Sequence, residues 1–453
     1  MERIDIRTTD NNGKGCVFDP SHGLNLRKIA GVKLAELKSG DYSNLLVFPQ
    51  CLGKSRDLKS SSVICHLDSS DAPTLRTNNI MGFVGVGDTS LTIASRFAQA
   101  DQRDYFLHYM LGKVLSINVV NMDTLSDPER VEDFLPYLFP AFLQKALVQG
   151  VLRRYRTFRR NDANVRGVID VSRHIRQNIP FAGKIAYNTR EHTADNEITQ
   201  LVRHAIERLR STMIGRAALS SSAETRDNVQ VVEEHTPSYN RNERAKIIRA
   251  NLKPTSHPYY TEWRPLQKLC LQILRSEKIS FGEDKDKIHG LLFDGAWLWE
   301  EYLNVLLKSQ GWKHPDNRRR MGGYRLFKDE SHTVYPDFVY GENSDVPLIA
   351  DAKYIPLENY VGQDGSEKAT AIYYKTIAYM YRFASKHGFL LYPFDAETVA
   401  KKDMEINNTT GILTKLGFPV LRSSLSFTEY SEKMKNREHI YLHCLGATEL
   451  ALG

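Results

Sequence analysis

The chain has 453 residues, 41% of them hydrophobic and 25% charged, which gives it the length for two or three domains and the composition of an ordinary globular protein. Its 61 Lys and Arg stand against 54 Asp and Glu, and the net charge of +7 is compatible with a polyanionic partner without establishing one. Cys16, Cys51, Cys65, Cys270 and Cys444 are odd in number and contain no Cys-Xaa-Xaa-Cys pair, which argues against a disulfide framework or a zinc site. The charged start Met-Glu-Arg-Ile-Asp-Ile-Arg is no signal peptide, and no apolar run approaches the roughly 20 residues that span a bilayer. A cytoplasmic protein with no membrane partner is expected.

Residues 1–100 are expected to be a β-rich domain. Short strand candidates are Asn44 to Pro49, Ser62 to Cys65, Gly82 to Val86 and Leu91 to Ala94, the last two flanking the hairpin signal Gly87-Asp88. This pattern predicts a small barrel or a strongly bent sheet. Gly82, Gly85 and Gly87 form a partial glycine string, but no phosphate-binding lysine follows, so a turn is expected there.

Residues 101–280 are expected to be a mixed helical middle region for contact with a partner or DNA. One helical pattern opens at Tyr105, and a second covers about Asp133 to Arg156, with Pro136 and Pro140 near its start. It runs into Arg153-Arg154-Tyr155-Arg156-Thr157-Phe158-Arg159-Arg160. Charge at that density is either a solvated face or a contact surface for phosphates or an acidic partner, and Arg153, Arg154, Arg159 and Arg160 are the candidates for contact. Strands are expected at Val165 to Val171 and Gly183 to Tyr187, and a helix from Asp195 with Leu201, Ala205 and Leu209 on one side. Ala217 to Thr261 is polar and turn-rich, an irregular connection with one helix near Arg244 to Asn251, before a helix from Trp263 to Arg275.

Residues 281–453 are expected to form the last domain. Its opening, Leu291 to Leu303, has the pattern of a long aromatic helix carrying Glu300 and Glu301, followed by Arg318-Arg319-Arg320. Thr333-Val334-Tyr335-Pro336-Asp337-Phe338-Val339-Tyr340 and Pro347-Leu348-Ile349-Ala350-Asp351-Ala352-Lys353-Tyr354 have the composition of two buried strands. A carboxylate within such a strand costs several kcal/mol unless it is paired or binds a cation. Asp351 and Lys353 share a face, and Asp337 lies 351 − 337 = 14 residues upstream, room for a hairpin that gathers all three. Two carboxylates that hold Mg²⁺, with a lysine to orient water or neutralise charge on phosphorus, suit phosphodiester hydrolysis. The bland alternative is a turn-capping Asp337 beside an ordinary Asp351–Lys353 pair. After a loop at Gly362-Gln363-Asp364-Gly365, a helix is expected from Lys368 to Lys386, then strands at Phe389 to Pro393 and Ile440 to Leu442.

Pro-Asp in one strand and Asp-Ala-Lys in the next resemble the PD-(D/E)xK nuclease signature in its Asp form. Together with Leu91-Thr92-Ile93-Ala94-Ser95-Arg96-Phe97, Arg166-Gly167-Val168-Ile169-Asp170-Val171 and Leu298-Trp299-Glu300-Glu301-Tyr302, they make the chain resemble McrC, the nuclease subunit of modified-cytosine restriction systems, and the related LlaJI proteins. The resemblance implies an α+β multidomain protein ending in an α/β restriction-endonuclease-like core. It implies DNA cleavage for anti-phage defence with Mg²⁺, or Mn²⁺ in its place, and an AAA+ GTPase partner, a McrB-like hexameric ring. GTP would act only through that partner, since no Gly-rich loop ending Gly-Lys-Ser/Thr occurs here. Asp337 and Asp351 match the metal-binding carboxylates, the Ala352 carbonyl a further ligand, and Lys353 the catalytic lysine; Glu300 matches the acidic position on the preceding helix where an additional metal ligand sits. Arg166 or the 153–160 cluster would reach the partner's nucleotide. Where related nucleases carry Gln-Xaa-Xaa-Xaa-Tyr, this chain has Lys375 and Tyr379, one helical turn apart and placed to meet DNA. A stand-alone repair or recombination nuclease and a non-catalytic DNA-binding adaptor are the alternative readings.

Overall fold

The computed structural model describes residues 4–13, 15–17, 23–33, 44–48, 63–68, 74–86, 89–99, 103–114, 135–253, 255, 257–275, 288–315, 321–329, 332–342, 346–355, 357, 367–424 and 426–450. The turn expected at 87–88, the basic run at 318–320 and the loop at 362–365 lie outside them. The chain divides into two units, Met1–Asp133 with Ser280–Gly453, and Phe134–Ile279.

The first unit opens with β1 (Ile4–Thr9), β2 (Cys16–Val17), α1 (Gly23–Leu26), β3 (Asn44–Phe48), β4 (Cys65–Leu67), β5 (Thr74–Thr77), β6 (Ile80–Val86), β7 (Thr89–Ala94) and α2 (Tyr105–Val114). The second unit holds α3 (Leu135–Val148), β8 (Arg154–Asp162), β9 (Val168–Ile169), α4 (Val171–Gln177), β10 (Ile185–Thr193), α5 (Glu197–Arg210), α6 (Met213–Leu219), α7 (Ala223–Glu234), α8 (Arg244–Ala250) and α9 (Trp263–Arg275). The first unit resumes with β11 (Ile288–Asp294), α10 (Gly295–Lys308), β12 (Tyr324–Arg325), β13 (Thr333–Val334), β14 (Phe338–Tyr340), β15 (Leu348–Ala352), α11 (Glu367–Arg382), β16 (His387–Asp395), β17 (Ala400–Glu405), β18 (Ile412–Val420) and α12 (Phe427–Leu450). The protein is a multidomain α+β fold. No helix among the described residues is long and apolar enough to cross a membrane.

The β-rich start forms a five-stranded sheet, β1-β7-β6-β11-β3, and a three-stranded one, β2-β5-β4. Leu291, Leu292 and Phe293 were expected to open a helix, but they belong to β11, paired with β6 on one side and β3 on the other. A short apolar run buried on both faces satisfies strand and helix patterns alike, and the sheet wins because it sequesters all three side chains. The helix starts only at Gly295, where the Asp294 carboxylate caps it by accepting from Ala296 N at 3.0 Å. Gly82 of β6 has φ +124, and a Cβ there would strike the Leu291 carbonyl. Gly82→Ala is therefore expected to destabilise the protein by about 2–4 kcal/mol, read as a lowered thermal midpoint, because neither the φ nor the backbone carbonyl can give way.

The last sheet runs β14-β15-β16-β18-β17, antiparallel at both outer pairs and parallel between β15, β16 and β18. On one face Tyr379 and Met380 of α11, with Phe383 just past its end, pack against Val339, Ile349, Leu390 and Leu413. On the other face Trp299 and Tyr302 of α10 and Tyr441 of α12 pack on Phe418, with ring centroids 5.0–5.8 Å apart. Each fully buried aromatic contributes about 1.5–3 kcal/mol relative to exposure. Ile440-Tyr441-Leu442, expected as a strand, lies within α12, where Phe427, Tyr430, Met434, Tyr441 and Leu445 recur at helical spacing and are buried. The strands that complete the sheet are β17 and β18. The expected strand 333–340 is interrupted at Tyr335-Pro336-Asp337, with Thr333–Val334 pairing β12 and Phe338–Tyr340 pairing β15.

In the second unit the helix expected from 133 to 156 ends at Val148, and Gly150 at φ +86 turns the chain out of it. The arginine run that follows lies on a strand, β8, because its alternating aromatic and Thr residues suit a sheet face. The expected strand at 165–171 shrinks to Val168–Ile169, since Asp170 instead caps α4 by accepting from Arg173 N at 3.1 Å. The polar connection hides two further helices, α6 and α7, started by the hydroxyls of Thr212 and Ser222, which accept from Gly215 N and Thr225 N. The helices expected from 195 and 263 are present as α5 and α9.

Candidate active site

The ladder between β14 and β15 pairs Phe338 with Ala350. Continued one residue, the same register sets Asp337 directly opposite Asp351, where Cβ atoms lie about 5 Å apart. Asp351 is fully buried, and the Asp337 Oδ2 accepts from Ala352 N at 2.8 Å. The hairpin thus does what its sequence promised, although the strand before it is broken at Pro336.

Two ammonium groups close on the buried Asp351 carboxylate. Lys353 forms an ion pair with Oδ2 and donates to the Ala352 carbonyl at 3.1 Å. Lys375, from α11, meets Oδ1 at 3.1 Å. Its Nζ lies over the ring of Tyr379, 5.5 Å from the centroid, and the Tyr379 hydroxyl donates to the Tyr335 carbonyl at 3.5 Å. The lysine standing where related nucleases carry glutamine is thereby brought into the carboxylate cluster.

The two aspartates are driven in opposite directions. Burial, then the charges of Asp351 and Glu300, push the Asp337 carboxyl up to about 8, against the opposing pull of Lys353 and Lys375. Burial also acts to raise Asp351, but Lys353 and Lys375 outweigh it and hold that carboxyl below the usual range. Lys375 is in turn raised, since Asp351 and Asp337 outweigh the burial that lowers it.

Glu300 sits on α10, its side chain 25% exposed, and its Oε1 lies 3.7 Å from His314 Nε2. His314 donates through Nδ1 to the Asp337 carbonyl at 2.6 Å and stacks on Phe338, with centroids 5.0 Å apart. Sequence reasoning missed His314. Its only sequence signal is a histidine three residues beyond Gly311, and its place comes from an antiparallel bridge between Lys313 and Val339. Trp299 Nε1 and Lys353 N both donate to the Leu391 carbonyl, at 3.1 and 2.8 Å, and so fix the height of the lysine above the sheet.

Among the described residues, no group of three or more His, Cys, Asp or Glu side chains is gathered closely enough to enclose a metal. The donors present still suit a hard divalent cation: two opposed carboxylates, one of them made reluctant to ionise by burial and by the other's charge, and the Ala352 carbonyl. Mg²⁺ commonly takes one or two carboxylates and fills its remaining positions with water. Glu300 is close enough to act on Asp337 through its charge but is not part of a three-carboxylate group.

The arginines lie in the second unit, Arg154, Arg156, Arg159 and Arg160 on β8 of the sheet β8-β10-β9 and Arg153 and Arg166 just outside its strands. Arg153, Arg159 and Arg166 are exposed. Arg154 donates to Thr255 Oγ1 at 2.7 Å and Arg160 pairs with Glu191 at 2.8 Å. Arg156 and Arg160 flank the Phe158 ring at 5.4 and 5.6 Å. Val168, Ile169, Ile179 and Phe181 are exposed in the same segment.

Fold and site together define an α+β protein whose mixed sheet carries an opposed aspartate pair clamped by two lysines. Residues 75–393 match the model of the McrBC 5-methylcytosine restriction system component, and the chain belongs to that family. No curated protein matches it. Among solved structures it is similar to a refined half-complex from the tetradecameric assembly of Thermococcus gammatolerans McrB AAA+ hexamers with bound McrC, at 14% identity over 96% of this chain and 99% of that chain, with a TM-score of 0.48. It is also similar to the cryo-EM structure of the Thermococcus gammatolerans McrBC complex, at 15% identity over 67% of this chain and 87% of that one, with a TM-score of 0.30.

Proposed function

We propose that this chain is the McrC-type, DNA-cutting subunit of a GTP-dependent restriction complex, with a PD-(D/E)xK core formed by β14, β15, α11 and the strands beyond. The observation that carries the reading is the opposed Asp337–Asp351 pair with Lys353 on one oxygen of Asp351 and Lys375 on the other. Membership of the McrBC restriction family supports the reading.

Asp337, Asp351 and the Ala352 carbonyl would hold Mg²⁺, or Mn²⁺ in its place, and such an ion supplies Lewis-acid polarisation of the scissile phosphate. Lys353, anchored by the Leu391 and Ala352 carbonyls, orients the attacking water and offsets charge growing on phosphorus. Lys375 binds a non-bridging phosphate oxygen, the task left by the missing glutamine. Glu300 acts at one remove, holding His314 against the backbone of Asp337.

The partner is an AAA+ GTPase ring that recognises and moves the DNA, reached through the arginines of β8 and Arg166; the complex works in the cytoplasm. The purified chain alone is expected to cut DNA slowly. Adding the GTPase with GTP and Mg²⁺ should raise the rate about a hundredfold, and Arg153, Arg154, Arg159 and Arg160→Ala together should remove about tenfold of that gain. A gel cleavage assay reads both. Full, nucleotide-independent cutting by the isolated chain would favour the stand-alone nuclease instead.

A further inference from the structure

β7 ends at Ala94, and Ser95-Arg96-Phe97 carries the chain on towards α2. Two buried carboxylates hold that turn. Asp104 accepts from both the backbone N–H and the hydroxyl of Ser95, and Asp10 accepts from the Arg96 N–H. Asp10 is fully buried, and Arg96 Nη1 lies 3.4 Å from its Oδ2. Burial pushes the Asp10 carboxyl up to about 6 and Arg96 draws it back, so the pair is ionised at neutral pH. From just beyond β18, Arg422 donates to the Arg96 carbonyl at 3.2 Å.

The guanidinium anchored in this way lies against two rings, with Cζ 4.7 Å from the centroid of Phe97 and 4.3 Å from that of Tyr354. Its Nη2 is buried and finds no hydrogen-bond acceptor among the described residues, so the rings, rather than a full set of hydrogen bonds, set its place. Tyr354 is buried and follows Lys353 directly. Its hydroxyl donates to Met81 Sδ of β6 at 3.5 Å, and a Cβ on Gly295, the first residue of α10, would stand 2.7 Å from its ring. The socket that receives Tyr354 is thus built from the sheet β1-β7-β6-β11-β3 and its margins, whereas Lys353 works on the last sheet. The Lys353 N–H still bonds the Leu391 carbonyl, so strand alternation reaches this end of β15. With Tyr354 seated on one side, Lys353 faces Asp351 on the other.

We propose that Arg96 is a positioning residue for DNA cleavage: held by Asp10 and stacked on Tyr354, it fixes the height and direction of Lys353 at the Asp337–Asp351 pair. A buried ion pair is a poor device for stability alone, since apolar side chains of the same volume hold a junction as well. An arginine supplies what they lack, a planar cation that both pairs with a carboxylate and stacks on a ring. This inference rests on the nuclease reading, which assigns Lys353 its role.

The test uses the full-length chain with the GTPase, GTP and Mg²⁺ on a fluorescein-labelled duplex containing 5-methylcytosine, the base named in the family's description. Single-turnover cleavage and, separately, anisotropy are measured. Arg96→Met should slow cleavage about ten- to a hundredfold, the effect of misplacing a catalytic group by about 1 Å, and leave duplex affinity within about twofold. Tyr354→Leu should match it, and Tyr354→Phe, which keeps the ring, should restore most of the rate. Because both residues act through one contact, the double variant Arg96→Met with Tyr354→Leu should be no slower than either alone. Should Arg96→Met fail to fold, Arg96→Lys, which keeps a counter-charge for Asp10 but not the planar cation, is read the same way. A merely structural role would lower the melting temperature without changing the rate of the folded protein. Folded variants that cut at the wild-type rate, losses that multiply in the double variant, or a loss confined to affinity overturn the positioning role and leave the nuclease reading standing. Wild-type protein that does not cut overturns both.

Discussion

Asp351→Ala is expected to abolish DNA cleavage, by at least ~10³-fold in the reconstituted complex, and to lower stability as well. The carboxylate is fully buried and neutralises Lys353 and Lys375, whose side chains are 17% and 42% exposed. Removing one member of a buried ion pair costs about 3–5 kcal/mol, and the exposure of Lys375 discounts that to about 2–3 kcal/mol here. A fall in melting temperature of about 3–5 °C follows for a unit of this size. Asp351→Asn separates the two effects. Its amide oxygen still accepts from one lysine, so more stability survives, while the lost charge leaves cleavage as low as in the alanine variant. Circular dichroism melts and cleavage rates on both variants check this, and a folded Asp351→Ala protein that still cuts would sink the mechanism.

The gathering of Asp337, Asp351 and Lys353 was legible before the fold because it rests on local rules. Strand alternation puts Asp351 and Lys353 together, and the 14-residue spacing of Asp337 from Asp351 (351 − 337) allows the hairpin that faces them. The helices starting at Glu197 and Trp263 were equally legible, since each pairs a strong apolar stripe with a polar face, and Asn196 caps the first. What failed did so where tertiary partners decide. Leu291 to Phe293 and Ile440 to Leu442 are apolar triplets that suit either structure alone. A sheet with open places on both sides took the first, and the stripe of α12 on Phe418 took the second. The arginine run was carried into a helix by charge and aromatics without regard to Gly150, whose left-handed backbone ends α3. His314 escaped notice for a deeper reason: it owes its place to a single bridge, a relation that does not exist along the chain.

Divalent-ion binding is expected to weaken about tenfold per pH unit below pH 8, so that a Mn²⁺ titration at pH 6 gives roughly a hundredfold weaker affinity than at pH 8.5. The cause is Asp337. Burial and the charges of Asp351 and Glu300 hold its carboxyl up to about 8, so below that pH the ion must displace a proton before it can bind. Calorimetry in buffers of different ionisation enthalpy should show about one proton released per ion at pH 7. Asp337→Asn should bind more weakly at pH 8.5 and show no such slope. The same group sets the stability of the metal-free protein. Its folded-state value lies above the ordinary 3.8, so the stabilisation it gives is complete below about pH 4 and is lost as pH rises through 8. Asp337→Asn should accordingly raise the melting temperature at pH 8.5, by about 2–4 °C, and leave it unchanged near pH 4. Glu300→Gln tests whether the third carboxylate acts only through its charge. Removing that charge should move the midpoint of the metal-binding profile to lower pH while leaving the affinity at pH 8.5 intact, whereas a Glu300 that ligates the ion would lose affinity at every pH.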